Sequence, residues 1–452
     1  MRVKLFIVLL AIVLVVSLTF VSEVGAWRVF QAFYWDVPNG WYNTVKGKVA
    51  DLKSAYIEVI YLPPPSKGMS GGYSMGYDPY DYYDLGAYNQ KGSVATRFGT
   101  QSELKSLIST IKSYGMKAMA DIVLNHRAGG DSQYNPFTGG NTWTDFSKVA
   151  SGKFKMSYWD FHPNDIHSSD SGTFGGYPDV CHDKTYVKTN IIAWLKWLKN
   201  SANAGFDFWR LDYTKGFAPW VAAYIYDNTG QPFIVGEYWD GNRNTLAWWV
   251  DSVNRAGVKT FDFALLYVLR DMCLGNGYYD MRGLQYAGLV GIRPTKAVTF
   301  VGNHDTDPIY QNKMMAYAYI LTAEGDPTVW WKDYYDYGLA RAGTARGIKQ
   351  LLWVHYRLAG GTTSVLYADN DLYIAQRNGY GSNPGLVIVI NDNGVQWKGA
   401  RVKTKWANTE LNVYAWDGKD TSRPQNKWTD GSGYADLWAA PYGYAVYAPK
   451  GY

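Results

Sequence analysis

The chain has 452 residues and a formal net charge of +5, and its length suits about three domains at roughly 150 residues each. The basic residues are dispersed along the chain, which argues against a nucleic-acid surface and against a membrane-binding stripe. No polyanionic partner is therefore expected.

The N-terminus has the pattern of a secretory signal peptide. Arg2 and Lys4 precede the apolar stretch Leu5–Phe20, and Val24–Ala26 offers small residues at a cleavage position. An uncleaved membrane anchor is the alternative, for which the stretch is marginal in length. We expect residues 1–26 to be removed, leaving a secreted, extracellular protein that begins at Trp27 and has no membrane contact.

Strand and helix patterns then alternate along most of the chain, which predicts an α/β fold with a (β/α)8 TIM barrel. The predicted strands are Val29–Asp36, Tyr56–Leu62, Met116–Leu124, a segment around Phe208, 233–239, 258–265, 297–303 and Thr328–Lys332. The predicted helices include Val45–Ala55, one that opens with a capping box at Thr100 and Glu103, 217–228, 244–256 and Gly343–Leu358.

Two regions depart from this alternation. Residues 127–184 lose periodicity and are rich in Gly, Asp, Asn, Ser and Pro, which indicates either disorder or a small inserted domain. We expect an inserted domain after strand 3 that is held by metal rather than by a core. After Gly360, short β-rich runs predict a C-terminal antiparallel β-sandwich. The expected domains are the barrel, from 27–126 and 185–360, the insertion, 127–184, and the C-terminal domain, 361–452.

Polar motifs follow four of the predicted barrel strands. They are Asp121–His126, Gly205–Asp212, Gly236–Glu237 and Asn303–Asp305. Side chains at the C-terminal ends of barrel strands converge on one face, where barrel enzymes keep their chemistry. Taken alone, Arg210 and Asp212 could equally form a structural ion pair.

In this order, the four motifs resemble the signature regions of the α-amylase family, glycoside hydrolase family 13, and most closely its archaeal extracellular members. The resemblance extends to Gly76–Asp81 and Phe174–Asp179. It implies an endo-acting enzyme that hydrolyses α-1,4 bonds of starch, glycogen and maltooligosaccharides with retention of configuration. Aromatic residues, 17% of the chain, suit sugar stacking, although a large core also buries many.

The resemblance assigns three catalytic residues. It makes Asp212 the nucleophile, Glu237 the general acid and base, and Asp305 the carboxylate that binds sugar hydroxyls and favours ring distortion. Physical reasoning agrees, because Arg210 on the same strand face should keep Asp212 ionised, and burial near Tyr238 and Trp239 should raise the pKa of Glu237.

The resemblance also assigns substrate-binding residues around the cleavage point. His126 and His304 match histidines that donate to sugar hydroxyls, Tyr77 matches a stacking aromatic, and Lys215 matches a contact to the next sugar. Arg210 belongs to the same set. Each has a structural alternative, since a single His after a strand often has only a structural role.

Two metal sites are expected. Asn125, Asp170, Gly172 through its carbonyl, and Asp179 match calcium ligands of the archaeal enzymes, and oxygen donors suit calcium; the alternative is that these residues only shape turns. His162, His167 and Cys181 match a zinc site found in some relatives. Cys181 could instead pair with Cys273 or be a buried thiol.

The sequence therefore predicts a monomeric, calcium-dependent enzyme acting on polysaccharide. Two alternatives remain. A maltogenic or transglycosylating member of the family would share every catalytic residue, and a starch-binding protein without activity would have lost one of the three carboxylates.

Overall fold

The computed structural model describes residues 26–167 and 172–452. The predicted signal peptide lies outside the described residues apart from Ala26, and so does the predicted calcium ligand Asp170. Within the described ranges, no helix combines the length and the apolar character needed to cross a membrane.

The strands of the described residues are β1 Val29–Gln31, β2 Val59–Leu62, β3 Lys67–Gly68, β4 Pro79–Asp81, β5 Lys117–Ile122, β6 Asp131–Asn135, β7 Gly140–Asp145, β8 Phe208–Leu211, β9 Ile234–Gly236, β10 Val258–Phe261, β11 Ala297–Phe300, β12 Asp326–Trp330, β13 Thr363–Ala368, β14 Leu372–Arg377, β15 Leu386–Asn391, β16 Lys398–Lys403, β17 Glu410–Asp417, β18 Lys427–Trp428, β19 Tyr434–Ala439 and β20 Gly443–Pro449. The α-helices of the same ranges are α1 Trp41–Lys46, α2 Val49–Ser54, α3 Gln101–Ser113, α4 Thr185–Lys199, α5 Pro219–Thr229, α6 Arg243–Val253, α7 Phe263–Leu274, α8 Lys313–Ile320 and α9 Ile348–Arg357.

Parallel strands form the predicted barrel. In the part of the chain that the structure describes, β1, β12, β11, β10, β9, β8, β5 and β2 are hydrogen-bonded in that order and close on themselves. Helices follow the strands and cover the outside, so the strands are buried almost throughout. This confirms the fold class.

Local signals account for several helix boundaries. The capping box is present, with Thr100 accepting from the backbone of Glu103 and the Glu103 carboxylate accepting from the backbone of Thr100. The single helix predicted over Val45–Ala55 is instead two short helices separated at Gly47, a residue with low helix propensity. The second strand begins at Val59 rather than at Tyr56, which has a positive φ of 63° that strand pairing does not allow.

The C-terminal domain consists of two antiparallel sheets. In the described residues, one has the order β13-β14-β15-β20-β17-β18 and the other pairs β16 with β19. Val389 of β15, Val402 of β16 and Leu437 of β19 belong to one buried apolar cluster, so the sheets pack as the predicted sandwich.

The insertion after β5 has more core than its sequence pattern suggests. The β6–β7 hairpin leads to Phe146, Phe154 and Phe161, which are buried and continuous with the barrel core. The Arg127 guanidinium lies 4.1 Å from the Phe146 ring centroid and donates 2.8 Å hydrogen bonds to the carbonyls of Phe154 and Tyr80. The expectation that this region lacks a core was wrong, because its apolar residues are spaced too irregularly to show a period.

Candidate active site

Neighbouring barrel strands bring the candidate site together through their register. Asp121 in β5 is the pairing partner of Arg210 in β8, and Leu211 pairs with Gly236 of β9. Asp212 and Glu237 are the next residues after these pairs, so their side chains lie at adjacent strand ends. Buried apolar strands with polar ends concentrate the charged groups at one end of the barrel.

Arg210 is the centre of this charged cluster, and its side chain is 1% exposed. Its Nη1 donates to Oδ1 of Asp121 and to Oδ1 of Asp212 at 2.7 Å each. Its Nη2 lies 2.5 Å from Oε1 of Glu237, and the Tyr213 backbone N–H donates to Oε2 of Glu237 at 3.1 Å. The structure thus holds Asp212 and Glu237 on neighbouring nitrogens of one guanidinium.

Burial of the cluster raises carboxyl pKa values, and the excess of negative over positive groups adds to this. Burial raises the pKa of Glu237 to about 7, opposed by Arg210 and reinforced by Asp305. Burial also raises the pKa of Asp212 well above its ordinary value, opposed by Arg210 and reinforced by Glu237. Because one guanidinium cannot compensate all these carboxylates, we infer that Asp212 and Glu237 titrate as a pair that retains one proton near neutral pH.

The structure corrects the physical reasons expected for the ionised state of Asp212 and for the raised pKa of Glu237. Arg210 does not select Asp212, because its guanidinium contacts Glu237 as closely. Tyr238 and Trp239 pack on neighbouring aromatic side chains, so the desolvation of Glu237 comes from its position at the buried end of the barrel.

A second chain of hydrogen bonds runs through His304. The Gln31 amide Nε2 lies 2.7 Å from Nδ1 of His304. On the other side of the ring, Nε2 lies 2.7 Å from the Tyr77 hydroxyl and 3.0 Å from Oδ2 of Asp305. The Tyr77 hydroxyl in turn donates to Oδ2 of Asp121 at 2.7 Å.

These contacts assign the tautomer of His304. Because the amide of Gln31 donates to Nδ1, the ring proton is on Nε2, where it faces Tyr77 and Asp305. Burial lowers the pKa of His304 well below its ordinary value, and Arg210 adds to this. His304 is therefore neutral at physiological pH and serves as a hydrogen-bond donor.

Aromatic side chains border Asp305 on the solvent side. Trp35 is 43% exposed, and its Nε1 donates to Oδ1 of Asp305 at 2.9 Å. The Tyr77 ring stacks on His304 with centroids 5.3 Å apart and planes at 17°, so one face of Tyr77 is already covered by protein. The ring centroids of Trp35 and Tyr77 are 5.4 Å apart. Trp35 therefore adds an exposed apolar face beside Tyr77, which was not predicted.

Lys215 lies at the edge of this region. Its Nζ is 3.0 Å from Oδ2 of Asp240 and 5.5 Å from the Tyr238 ring centroid. The side chain is 37% exposed, so the ammonium group is accessible to a ligand.

His126 lies deeper than its predicted role requires. It is fully buried, and its Nε2 is 2.8 Å from the carbonyl of Tyr77. Its ring is stacked against Phe174 at 4.9 Å and Tyr177 at 5.4 Å. In this arrangement His126 supports the loop that carries Tyr77, and contact with a sugar stays a prediction.

The predicted calcium ligands fit an oxygen-coordinated cation where the structure describes them. Asn125 is fully buried, and neither atom of its side-chain amide has a hydrogen-bond partner. A backbone bridge joins His126 to the buried Asp179, and the Val180 N–H donates to the carbonyl of Asn125 at 2.9 Å. Gly172 has a φ of 152°. A buried amide without a partner is costly, and a hard cation would satisfy its oxygen.

The predicted zinc ligands are near one another. The rings of His162 and His167 are 5.9 Å apart. Burial raises the pKa of the Cys181 thiol, but hydrogen bonds from His162 and Asn164 outweigh this and lower it below its ordinary value. However, Nε2 of His167 pairs with Asp183 at 2.9 Å.

No three His, Cys, Asp or Glu side chains of the described ranges form a group that could hold a metal ion. The zinc site therefore stays a prediction. Both cysteines are free thiols, so the alternative disulfide between Cys181 and Cys273 is not formed.

Three polar side chains of the site were not predicted from the sequence. Asp121 began a recognised motif, and strand pairing with Arg210 could have identified it. Gln31 carries only a weak signal, as a single amide in an apolar strand. The Tyr61 hydroxyl donates to Oδ2 of Asp121 at 2.5 Å. In the sequence Tyr61 resembles any other apolar strand residue, because its role depends on which strand lies next to its own.

Comparison with known proteins identifies the family. The model of the α-amylase catalytic domain matches residues 38–218. A probable α-amylase 2 of Arabidopsis thaliana is 31% identical over 380 residues, a match that covers 77% of this chain and 85% of that protein. An α-amylase of Geobacillus stearothermophilus is 31% identical over 435 residues, covering 81% of this chain and 78% of that protein. The chain belongs to the α-amylase family.

The fold agrees with this assignment. The crystal structure of an α-amylase from Geobacillus thermoleovorans complexed with acarbose matches with a TM-score of 0.66 at 19% identity, covering 94% of this chain and 98% of that one. Membership of this α-amylase family makes the chain a glycoside hydrolase, and the charged cluster lies at the end of the barrel where such enzymes act.

Proposed function

We propose that this α-amylase-family chain is a secreted, endo-acting enzyme of the archaeal extracellular type that hydrolyses α-1,4 bonds of starch and related glucans with retention. The observation that carries the proposal is the placement of Asp212 and Glu237 on one buried guanidinium. Retaining glycosidases need two carboxyl groups only ~5–5.5 Å apart. Sharing one guanidinium supports such a short separation.

The first step would use the proton that the pair retains. Asp212, as carboxylate, attacks the anomeric carbon while Glu237 gives its proton to the departing glycosidic oxygen. The bond from carbon to that oxygen breaks and an ester bond to Asp212 forms. A pKa of about 7 for Glu237 makes it an effective acid near neutral pH.

The second step would reverse these roles. Glu237, now ionised, takes a proton from water, whose oxygen attacks the anomeric carbon and releases Asp212. Two displacements on the same carbon return the original α configuration. His304, neutral and protonated on Nε2, and Asp305 would bind sugar hydroxyls, and Trp35 would cover the apolar face of the sugar.

Calcium would act as a structural cofactor. Its ligands would be Asn125, Asp170, Gly172 and Asp179. The positive charge of the ion would neutralise these oxygen ligands and would connect the barrel to the insertion. Gly216 packs directly on Asn125, since a Cβ at Gly216 would lie 1.8 Å from Oδ1 of Asn125. Ordering Asn125 would thus support the loop after Asp212. For the same insertion we also propose zinc at His162, His167 and Cys181, which is supported by the two imidazole rings lying 5.9 Å apart.

Secretion rests on the signal-like N-terminus. The backbone nitrogen of Trp27, the proposed first mature residue, donates to Oδ1 of Asp326 at 2.7 Å. After cleavage this nitrogen would be an ammonium group facing a buried carboxylate, which would favour the ion pair. We propose a monomer acting outside the cell.

The function is tested by assaying the purified protein on soluble starch. Loss of iodine staining well ahead of reducing-end release is expected for internal cleavage, with no hydrolysis of a β-1,4-glucan of similar length. Asp212→Asn should lower kcat by several orders of magnitude. Equal activity of the Asp212→Asn variant, or release of reducing ends without loss of staining, would contradict the proposal.

A further inference from the structure

A third carboxylate, Asp121, lies beside Asp212 and Glu237 but is closed off from the substrate. Asp121 is in β5, opposite Arg210 of the neighbouring strand β8, and it is fully buried. A sugar bound at the end of the barrel therefore cannot contact its carboxylate. Any effect of Asp121 on the reaction must act through the side chains around it.

Three donors favour the ionised form of Asp121. Nη1 of Arg210 donates to Oδ1 at 2.7 Å, and the hydroxyls of Tyr61 and Tyr77 donate to Oδ2 at 2.5 Å and 2.7 Å. Burial raises the pKa of both tyrosines well above its ordinary value, so both remain neutral donors near neutral pH. A proton on Asp121 would occupy an oxygen that already accepts hydrogen bonds, and one of these bonds would be lost.

Arg210 is shared among three carboxylates. In the part of the chain that the structure describes, its guanidinium forms ion pairs with Asp121, Asp212 and Glu237. Burial is the main cause of the raised pKa of Asp212 and of Glu237, and the charge of Asp121 adds to both shifts. Because Asp121 uses the positive charge of Arg210, the other two carboxylates lack full compensation and hold a proton between them.

The other titratable groups around Glu237 do not supply the missing positive charge. Asp305 is a further negative group, and it adds to the effect of burial on the pKa of Glu237. Burial keeps the pKa of His304 well below its ordinary value, so this ring is neutral. Lys215 and Asp240 pair with each other at 3.0 Å, and their charges compensate.

We propose that Asp121 is a positioning residue that occupies the charge of Arg210, leaves one proton on the pair Asp212 and Glu237, and thereby sets the upper pH limit of catalysis. The inference rests on the proposed function for the identity of the reaction. Without the charge of Asp121, Arg210 would compensate the pair, and the pair would release its proton at lower pH. A residue that only held Arg210 in place would change activity by the same factor at every pH.

The test uses Asp121→Asn, which keeps the shape of the side chain and one acceptor oxygen but removes the charge. We expect both limbs of the pH profile of kcat/KM on soluble starch to move to lower pH by about one unit. The matched control is Asp333→Asn, since Asp333 is also buried, accepts from the Tyr317 hydroxyl at 2.7 Å and pairs with Lys313 at 2.5 Å. Asp333→Asn should keep the wild-type limbs. Asp121→Ser, smaller and also uncharged, should shift the limbs like Asp121→Asn and replaces it if the amide does not fold.

A second measurement follows the proton on Glu237 without substrate. The sequence contains six glutamates, so the ¹³C carboxyl signals of glutamate-labelled protein are few, and the signal absent from Glu237→Gln identifies Glu237. Its titration midpoint should fall by about one pH unit in the uncharged Asp121 variant and should stay unchanged in Asp333→Asn. An unchanged midpoint in the Asp121 variant, or a loss of activity by the same factor at every pH, would overturn the proposal. If the wild-type protein cleaves no starch, the proposed function fails, while the midpoint of Glu237 still tests the role of Asp121.

Discussion

At the scale of single residues, the site depends on a few buried contacts that fix protonation. The Gln31 amide donates to Nδ1 of His304, and this leaves the Nε2 proton directed at Tyr77 and Asp305. Gln31 is 1% exposed and lies behind His304, so we regard it as a positioning residue. It determines which nitrogen of His304 can donate to a sugar.

Replacing Gln31 by Leu should therefore impair catalysis without removing any group that touches substrate. We expect kcat/KM on starch to fall about tenfold, the worth of one buried hydrogen bond. The ¹⁵N shifts of His304 should show loss of the single Nε2–H tautomer. Gln376→Leu, at another buried amide, is the control and should cost stability only; an unchanged tautomer in Gln31→Leu would refute the assignment.

The raised pKa of Glu237 has a consequence for stability. Its pKa is about 7 in the folded protein against an ordinary 4.5, so between these values the folded state binds more protons than the unfolded state. The contribution of Glu237 to the free energy of unfolding is fully present below about pH 4.5, and it is lost as the pH rises toward 7. Glu237→Gln cannot titrate and escapes this loss.

The melting temperature of Glu237→Gln relative to wild type should therefore rise from pH 4.5 to pH 7 and level off above it. This rise corresponds to a change in the free energy of unfolding on the order of 1–3 kcal/mol. Glu410→Gln, which removes a carboxylate paired with Lys450 at 2.8 Å, should show no such rise. A pH-independent difference for Glu237→Gln would show that burial does not raise this pKa.

At the scale of elements, the insertion is joined to the barrel by backbone pairing as well as by its core. The segment Asp179–Cys181 hydrogen-bonds to Asn125 on one side and to Asp160 and His162 on the other. Asn125 nevertheless keeps a buried side-chain amide without a partner. Hydrophobic contacts thus hold much of the insertion, and a cation would complete the junction with β5.

Removal of calcium should therefore destabilise the protein and inactivate it. We expect a chelator to lower the melting temperature by several degrees and added calcium to restore it, since a ligand of the native state stabilises by mass action. Asn125→Ala should respond less, and Asn190→Ala, at a half-buried position of α4 away from this junction, should respond like wild type. An unchanged melting temperature after verified removal of calcium would contradict a structural role.

At the scale of the whole molecule, the barrel and its strand-end motifs were predictable because both depend on local pattern. Alternating elements indicated the barrel, and four motifs indicated which strand ends carry charge. The strands β16 and β19 were not predicted: Lys398–Lys403 carries three basic residues, and the alternation of Tyr434–Ala439 is short. Contacts between distant segments, such as Gln31 with His304, leave no local pattern to read.

The central claim is that Asp212 and Glu237, held on Arg210, act by double displacement. Proton NMR of the earliest products from maltoheptaose tests it most directly, because the newly formed reducing end appears before mutarotation. The α-anomer is predicted, since two displacements at one carbon preserve its configuration. Early appearance of the β-anomer would mean a single displacement by water, and would contradict the role assigned to Asp212.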